Sequence, residues 1–591
     1  MSGAYPGYVY LNWWWTQLEF LNAVAPDPIQ LGSDYKYRPI LLTKLPSLED
    51  GDAALETVRV RVGDNIVNDA GEVAQLQEGM IYRPAGCRES ACAAPYAGGD
   101  VQMERLVVTF RLLPDLKWSD GAPLTARDSV LAYQLVRDAQ GKDESVCASC
   151  GLPDGAVPGT LQRTVEYTAV DEHTVRWIGL PGYLTRWYFL NFFSPLPQHL
   201  AEGKTLREID KFTGGASGAN MVGWGPFMVE EWVQGQYLRV VRNPHYHHAE
   251  EGLPHLDEIV WKFLTDEPGR GVAGVLTGEC DVASGDATLR DTSWGKGLEL
   301  YQGIQASGKL QVYVIPVSWE GVAFNVAPPA DRPDFFTDPR VRQAIAYGTD
   351  RQTIAEVVVG DSFLAHSYVP AYHPLYAGDA LTFYDLSPQR ARELLAEAGW
   401  EDTDGDGMVE KNGQPFIITL LDERPQPRAP GLAIFQMNMA EIGIKVRIEY
   451  LAVGALLADD GPLATRRFDL LWSLRPITPY SEGGNQPACT TFLTRAIPQA
   501  GQIRQWDDRN EMGYRNLEFD ALCQLGLTSL DPQEAGQAHL LAQQILSRDL
   551  PILPLYFRSA VVLARPGVMD LMFDSAGAIT VFEALDIQSS P

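Results

Sequence analysis

The sequence predicts an α/β protein of several domains, and three observations carry that prediction. At 591 residues the chain is longer than one hydrophobic core can serve, so it divides into about two to four domains. Strictly alternating strands, TVRVRV at 57–62 and IKVRIEY at 444–450, are interspersed with capped helices through both halves. At 317–351 a strand passes through a Pro-rich break (APPADRP, 327–333) into a helix, and this stretch reads as the chain leaving one lobe for another, with the gap between lobes as the working site.

The elements follow in chain order. Residues 1–50 carry Trp13, Trp14 and Trp15 and then a Pro-rich, weakly patterned segment. The strand at 57–62 stops at Gly63, and LVVTFRL at 106–112 is a second strand. Thr125 caps a helix, with Asp128 three residues on as the return partner of a capping box. Two strands flank the turn at Asp171 and Glu172, and residues 223–246 form a hairpin about Gly235. A further strand covers 256–264, a short helix 269–276 and a short strand 280–283. Asp338 caps a helix opened by Pro339, whose inner face is Val341, Ala344, Ile345 and Gly348. Ser387 and Pro388 open another, with Ala391, Leu394, Leu395 and Ala398 as its stripe and Gly399 as its end. Residues 434–442 read as helix, 467–472 as a buried strand, 532–547 as helix, and 551–557 (PILPLYF) as a Pro-interrupted edge strand.

Composition narrows the function. With 47 Lys plus Arg against 76 Asp plus Glu the formal charge is −29, which opposes binding to nucleic acid. Hydrophobic residues at 45% exclude wholesale disorder. No apolar run approaches the roughly 20 residues that cross a bilayer. The opening MSGAYPGYVYLNWWW has neither a basic n-region nor an apolar h-region, so either the protein is cytosolic or this chain begins after a removed export signal. Cys87 with Cys92, and Cys147 with Cys150, sit in polar loops, which points to disulfides and an oxidising compartment. Spacing does not fix the pairing, so 87–150 with 92–147 stays open. Cys489 and Cys523 form a third candidate pair, and Cys280 is left over.

Eight segments, in order, carry a resemblance. They are TFRLLPDLKWSDGAPLTARDSV (109–130), GWGPFMVEEWVQGQYLRVVRNPHY (223–246), LPHLDEIVWKF (253–263), GVLTGECDVA (274–283), VAFNVAPP with DPRVRQAIAYGTDR (322–351), SPQRARELLAEAGWEDTDGDGMVEKNGQP (387–415), IGIKV (442–446), and FDALC with LPILPLYF (519–557). The chain resembles the extracellular solute-binding proteins of ABC importers, in the class of dipeptide-, oligopeptide- and nickel-binding proteins. The resemblance implies a periplasmic-binding-protein-like, two-lobed α/β fold with an extra third domain and an interlobe cleft. Lobe I would comprise 1–50, 201–320 and 553–591, the extra domain 51–200, and lobe II 321–552. It further implies two crossover strands, closure on a peptide-like or other small solute, and delivery to ABC transporter permease subunits. It implies an exported monomer, periplasmic or held at the surface by a lipid anchor, and no required cofactor.

Candidate site residues follow. In peptide-binding relatives of this class an Asp in the loop after the strand at 468–472 holds the peptide α-amine. Here that place falls near Thr478, and no Asp lies between 470 and 488. A buried ammonium without a carboxylate is unfavourable, so a free-N-terminus peptide is disfavoured. Arg475 in the same loop suits an anionic or carbonyl group. Trp14, Trp15, Trp224, Trp319 and Trp472, with Asn325 and Tyr480, are the candidate cleft walls, since indoles give broad apolar contact and one donor. Asp402, Asp404, Asp406, Met408 (through its carbonyl) and Glu410 follow the first half of a calcium loop, although the twelfth position is Gly413; the motif is either a structural Ca2+ site or an Asx/Gly hairpin turn. His245, His247 and His248 read as a surface turn and not as a zinc site. The second functional expectation is an extracellular hydrolase, but GxSxG, P-loop, GxGxxG and HExxH motifs are absent.

Overall fold

The computed structural model describes residues 14–88, 92–138, 159–204, 209, 221–233, 235–263, 269–285, 288, 297–360, 363–423, 428–477, 489–498, 509–575 and 577–588; side chains are described from residue 19 onward. The principal elements, in chain order, are α1 (Trp14–Val24), β1 (Ala53–Val60), β2 (Val101–Arg111), α2 (Ala126–Asp138), β3 (Thr164–Ala169), β4 (Thr174–Gly179), β5 (Phe227–Val233), β6 (Tyr237–Arg242), β7 (Glu258–Lys262), α3 (Arg270–Thr277), β8 (Val282–Ala283) and β9 (Gln311–Phe324). There follow α4 (Pro339–Gly348), α5 (Arg351–Val359), α6 (Pro388–Glu397), β10 (Ile417–Glu423), α7 (Ala429–Glu441), β11 (Lys445–Leu451), β12 (Leu470–Pro476), α8 (Leu517–Thr528), α9 (Pro532–Asp549) and β13 (Ile552–Ala564).

Three sheets organise the chain. An antiparallel sheet of order β1-β2-β4-β3 packs on α2 around Phe110, Trp118, Tyr167 and Trp177. An antiparallel sheet of order β5-β6-β7 packs under α1 through Phe20, Val24, Phe227 and Val240. The helix α1 has no end signals of its own and escaped the sequence reading. The third sheet is mixed, of order β8-β13-β9-β12-β10-β11.

This third sheet is covered on both faces, and the period-2 geometry of a strand divides its residues between two cores. Val322, Phe324, Leu420, Leu470, Trp472 and Tyr556 enter one core with α4, α6 and α7. Their neighbours Ala323, Leu421, Leu471 and Phe557 enter the other with α8 and α9. At the far ends of the same two strands, Val312, Val314, Val561 and Leu563 pack with α3, whereas Tyr313, Ile315 and Val562 pack towards α1. The strands β9 and β13 therefore run through both halves of the molecule.

The caps lie where the sequence places them. The Asp338 carboxylate accepts from Arg340 N at 3.0 Å, Ser387 Oγ accepts from Arg390 N at 3.3 Å, and Asp128 Oδ2 accepts from Thr125 N at 2.7 Å. The segment expected as an edge strand at 551–557 is longer than expected. It continues to Ala564, because SAVVLA supplies a second buried run; β9 pairs along its whole length, β8 pairs only with its last two residues, Leu563 and Ala564, and Tyr556 also bridges Leu364. Disulfides join Cys87 to Cys92 and Cys489 to Cys523, which removes the 87–150 alternative, and Cys280 is a free thiol. Cys147 and Cys150 lie outside the described residues.

Candidate functional site

The waist comes first. The pairing of β9 with β13 shifts register between Pro316 and Ser318 and again between Glu320 and Gly321, so two bulges lie within five residues of the crossing. A proline attends each one: Pro316 pairs opposite Ser559, and Pro554 opposite Gly321, each withholding a ladder donor. Gly321 is required by close approach, since a Cβ there would lie 2.7 Å from Leu553 O. Between the bulges Glu320 is fully buried. Its Oε2 accepts from Trp472 Nε1 at 2.5 Å and Tyr556 OH at 2.7 Å, and lies 3.3 Å from Arg428 Nη1, while Arg558 Nε donates to Oε1. Burial alone would push this carboxyl up; the guanidinium of Arg558, then that of Arg428, with the two hydroxyl and indole donors, outweigh it and hold it at about 2. Arg428 also pairs with buried Asp422 at 2.5 Å.

Beside the waist, the body built on α4–α9 meets the layers before it. The Tyr35 ring lies 4.2 Å from that of His373, and Tyr372 OH donates to Pro316 O at 3.3 Å. Tyr37 packs edge-on against Trp187 and Phe189 at 5.4 and 5.2 Å. Half-buried Arg186 lies 4.4 Å over the Trp187 ring and has no carboxylate partner among the described residues. Burial draws its pKa down to about 10. Further along, Arg83 Nη1 donates to Thr528 Oγ1 at 3.4 Å and Arg495 Nη1 donates to Ala70 O, so bonds cross the seam. A cavity of about 260 Å³ opens there, walled by Asn68, Arg83, Arg163, Tyr183 and Trp187 on one side and Arg495, Gln524 and Thr528 on the other.

The aromatic residues expected to wall the cleft lie mostly in cores. Trp224 is 4% exposed and packs 5.4 Å from Trp118 under the four-stranded sheet. Trp472 is held by Glu320 in the core of the α4–α7 side, and Trp319 in that of the α8–α9 side, where it borders an interior cavity of about 20 Å³. Asn325 is buried and donates to Arg466 O at 2.7 Å and Phe468 O at 2.8 Å, fixing the end of β9. Arg475 is not open to a ligand: it is buried against Glu511, with Phe492 beneath it. For Trp319, Trp472 and Arg475 the reason is common: they stand on β9 and β12, whose residues point into one of two cores because both faces of their sheet are covered. The backbone of Trp14 and Trp15 opens α1; their side chains, Trp13, Tyr480 and the place near Thr478 lie outside the described residues.

The aromatic and basic residues that do face the seam lie in YKYRP (35–39), RWYF (186–189) and YH (372–373). Sequence reading passed over them. Their signal is aromatic residues interleaved with bases in stretches without helical or strand period.

In the acidic turn, Asp402, Asp404 and Glu410 each place a carboxylate oxygen within 4.8 Å of the others, and Asp406 stands outside that group. The same carboxylates also close the turn: Asp402 accepts from Gly405 N at 2.7 Å and Gly407 N at 3.0 Å, Asp406 from Met408 N at 2.8 Å, and Glu410 from Thr403 N at 2.8 Å.

Two α/β bodies on a pair of shared strands, with a cavity in the seam between them, have the plan of a two-lobed binding protein. Comparison with known proteins agrees. The family model for bacterial extracellular solute-binding proteins, family 5 (middle), matches residues 97–474, and the chain belongs to that family of solute-binding proteins. It is 26% identical over 464 residues to the oligopeptide-binding protein AppA of Bacillus subtilis, covering 76% of this chain and 75% of that one. The oligopeptide-binding protein of Thermus thermophilus, complexed with a pentapeptide, superposes with a TM-score of 0.60 at 20% identity, over 96% of this chain and 90% of that chain. NikA of Brucella suis, in complex with Fe(III)-EDTA, superposes with a TM-score of 0.61 at 19% identity, over 95% and 98%. The fold is thus the periplasmic-binding-protein-like one. No described helix is long and apolar enough to cross a membrane.

Proposed function

We propose that this chain is the extracytoplasmic substrate-binding component of an ABC importer, which traps a peptide-like or other small solute between its lobes and hands it to the membrane permease. The observation that carries this reading is the waist: two strands common to both bodies, bulged and proline-thinned at the crossing, beside a seam lined from both sides. Solute touching both bodies only in the closed form shifts the open–closed equilibrium towards closure, and the permease reads the closed form. Lobe I comprises 1–50, 201–320 and 553–591, the extra domain 51–200, and lobe II 321–552. The chain acts as a monomer, and reaches the membrane through its permease or a lipid anchor. Chemistry on the solute is no part of this role, and the hydrolase reading has no support among the relatives.

The test is small-angle scattering with and without solutes recovered from the purified protein by mass spectrometry. Addition of a tightly bound solute should reduce the radius of gyration; an unchanged radius at saturation refutes capture by closure. The Asp402, Asp404 and Glu410 set is proposed to take a structural Ca2+ ion, with Met408 O and Asp406 completing the loop. Millimolar Ca2+ should then raise the melting temperature of the wild type and not of Asp404→Asn.

A further inference from the structure

The seam cavity has an uneven charge. Its wall holds Arg83, Arg163 and Arg495 against Asp69 alone, three positive and one negative, or +2. Arg83 gives its Nε to Asp69 at 2.7 Å, which accounts for the acid. Arg163 and Arg495 have no carboxylate partner among the described residues. Arg163 Nη2 meets Gly71 O at 3.5 Å and its guanidinium lies 5.0 Å over the Tyr183 ring, while Arg495 meets Ala70 O. Two guanidiniums, one from each body, thus converge on adjacent carbonyls of a single turn. Arg186, stacked on the cavity-wall residue Trp187, adds a third unneutralised cation next door. All this stands in a chain of net charge −29, whose average field repels anions.

We propose that the solute held between the bodies carries an oxyanion, a carboxylate or a phosphate, and that Arg163 and Arg495 receive it in this cavity. The inference rests on the capture reading above and names the chemistry of its guest. A guanidinium presents a planar fork of donors that fits either oxyanion bidentately. An anion here would neutralise one arginine from each body at once, so its contacts are complete only when the bodies are together. Without it, closure sets like charges side by side; with it, the repulsion becomes attraction. About 260 Å³ holds an acidic side chain or a phosphate, not a whole oligopeptide, so the cavity is a subsite for one group of the solute.

The test is calorimetric titration of random tetrapeptide pools, N-acetylated and C-amidated so that they carry no terminal charge and identical except that one varied position is Glu, Gln or Lys, and of inorganic phosphate alone. The proteins are wild type, Arg163→Gln, Arg495→Gln and Arg495→Lys, each with its melting temperature recorded; Arg495 is exposed, so its variants keep the fold. The Glu pool should bind about tenfold more tightly than the Gln pool. Either Gln variant should abolish most of that preference while retaining Gln-pool binding, and Arg495→Lys should keep much of it. Phosphate displacing the Glu pool supports a shared oxyanion seat for carboxylates; phosphate binding without any Glu preference supports a phosphate-bearing solute. Equal binding of the Glu and Gln pools with no phosphate uptake, or a preference untouched in both Gln variants, overturns this inference and leaves capture standing. No heat from any pool or from phosphate, together with no compaction by a co-purified solute, overturns both.

Discussion

Glu320 and Asp422 share the guanidinium of Arg428 and differ in everything else. Glu320 has a second guanidinium and two further donors, and is held at about 2. Asp422 has Arg428 as its one guanidinium, and burial, with the charge of Glu320 added, outweighs it and pushes the carboxyl up to about 6. Replacing Glu320 by Gln leaves Arg428 and Arg558 short of a counter-charge, and should cost about 3–5 kcal/mol in urea unfolding. Asp422 gives the opposite pH sign to an ordinary paired carboxylate. The native state takes up its proton near pH 6 and the unfolded chain only near 4, so this residue adds stability as pH falls from 7 to 4, up to about 3 kcal/mol. The difference in unfolding free energy between wild type and Asp422→Asn, measured at pH 7 and pH 5, should therefore move in favour of the wild type at the lower pH. None of this was legible in SWEGVAF. The partners of Glu320 lie 108, 152, 236 and 238 residues away, and no local pattern reports contacts at that separation. The same limit misplaced Trp224, Trp319 and Trp472: an indole in a strand reads alike whether it walls a cleft or fills a core.

Elements with local signals were read well. The caps at Asp338 and Ser387 and the end at Gly399, whose φ of +84° suits glycine, depend on a few neighbouring residues. Lengths were read less well: β9 begins at Gln311, before the stretch at 317–351 in which its strand is legible, because its first half is only half-buried and packs against the clusters of α3 and of the β5–β7 layer rather than against anything in its own neighbourhood. Helix pairing was also illegible. Helices α8 and α9 touch through Gly526, where a Cβ would fall 2.7 Å from Cε1 of His539. Burial, with the charge of Arg186 nearby, lowers this imidazole to about 3 and keeps it neutral. Gly526→Ala should force the ring aside and destabilise the pair by about 1–3 kcal/mol, visible in thermal melts; an unchanged melting temperature would mean that the helices separate at no cost.

For the molecule as a whole, the resemblance and the strand leading into the Pro-rich break within 317–351 pointed to the bilobal plan, and the seam lay beyond reach because it is assembled from segments near 35, 70, 163, 187, 373, 495 and 526. Motion across it can be measured. With Cys280 replaced by Ser, spin labels at exposed Glu72 and Gln533 lie on opposite sides of the seam, and labels at Glu72 and Gln102 on the same side. A bound solute should shorten and narrow the first distance and leave the second unchanged.

The direction of that motion follows from β9 and β13 being hydrogen-bonded to each other on both sides of the crossing. A ribbon two strands wide flexes easily out of its plane and resists shear within it, since sliding would break the whole ladder at once. In the proposed capture the two bodies would therefore swing like a book on its spine rather than glide past each other. On that proposal a guest would leave by the edge at which it entered, and that edge is the one a permease would have to face.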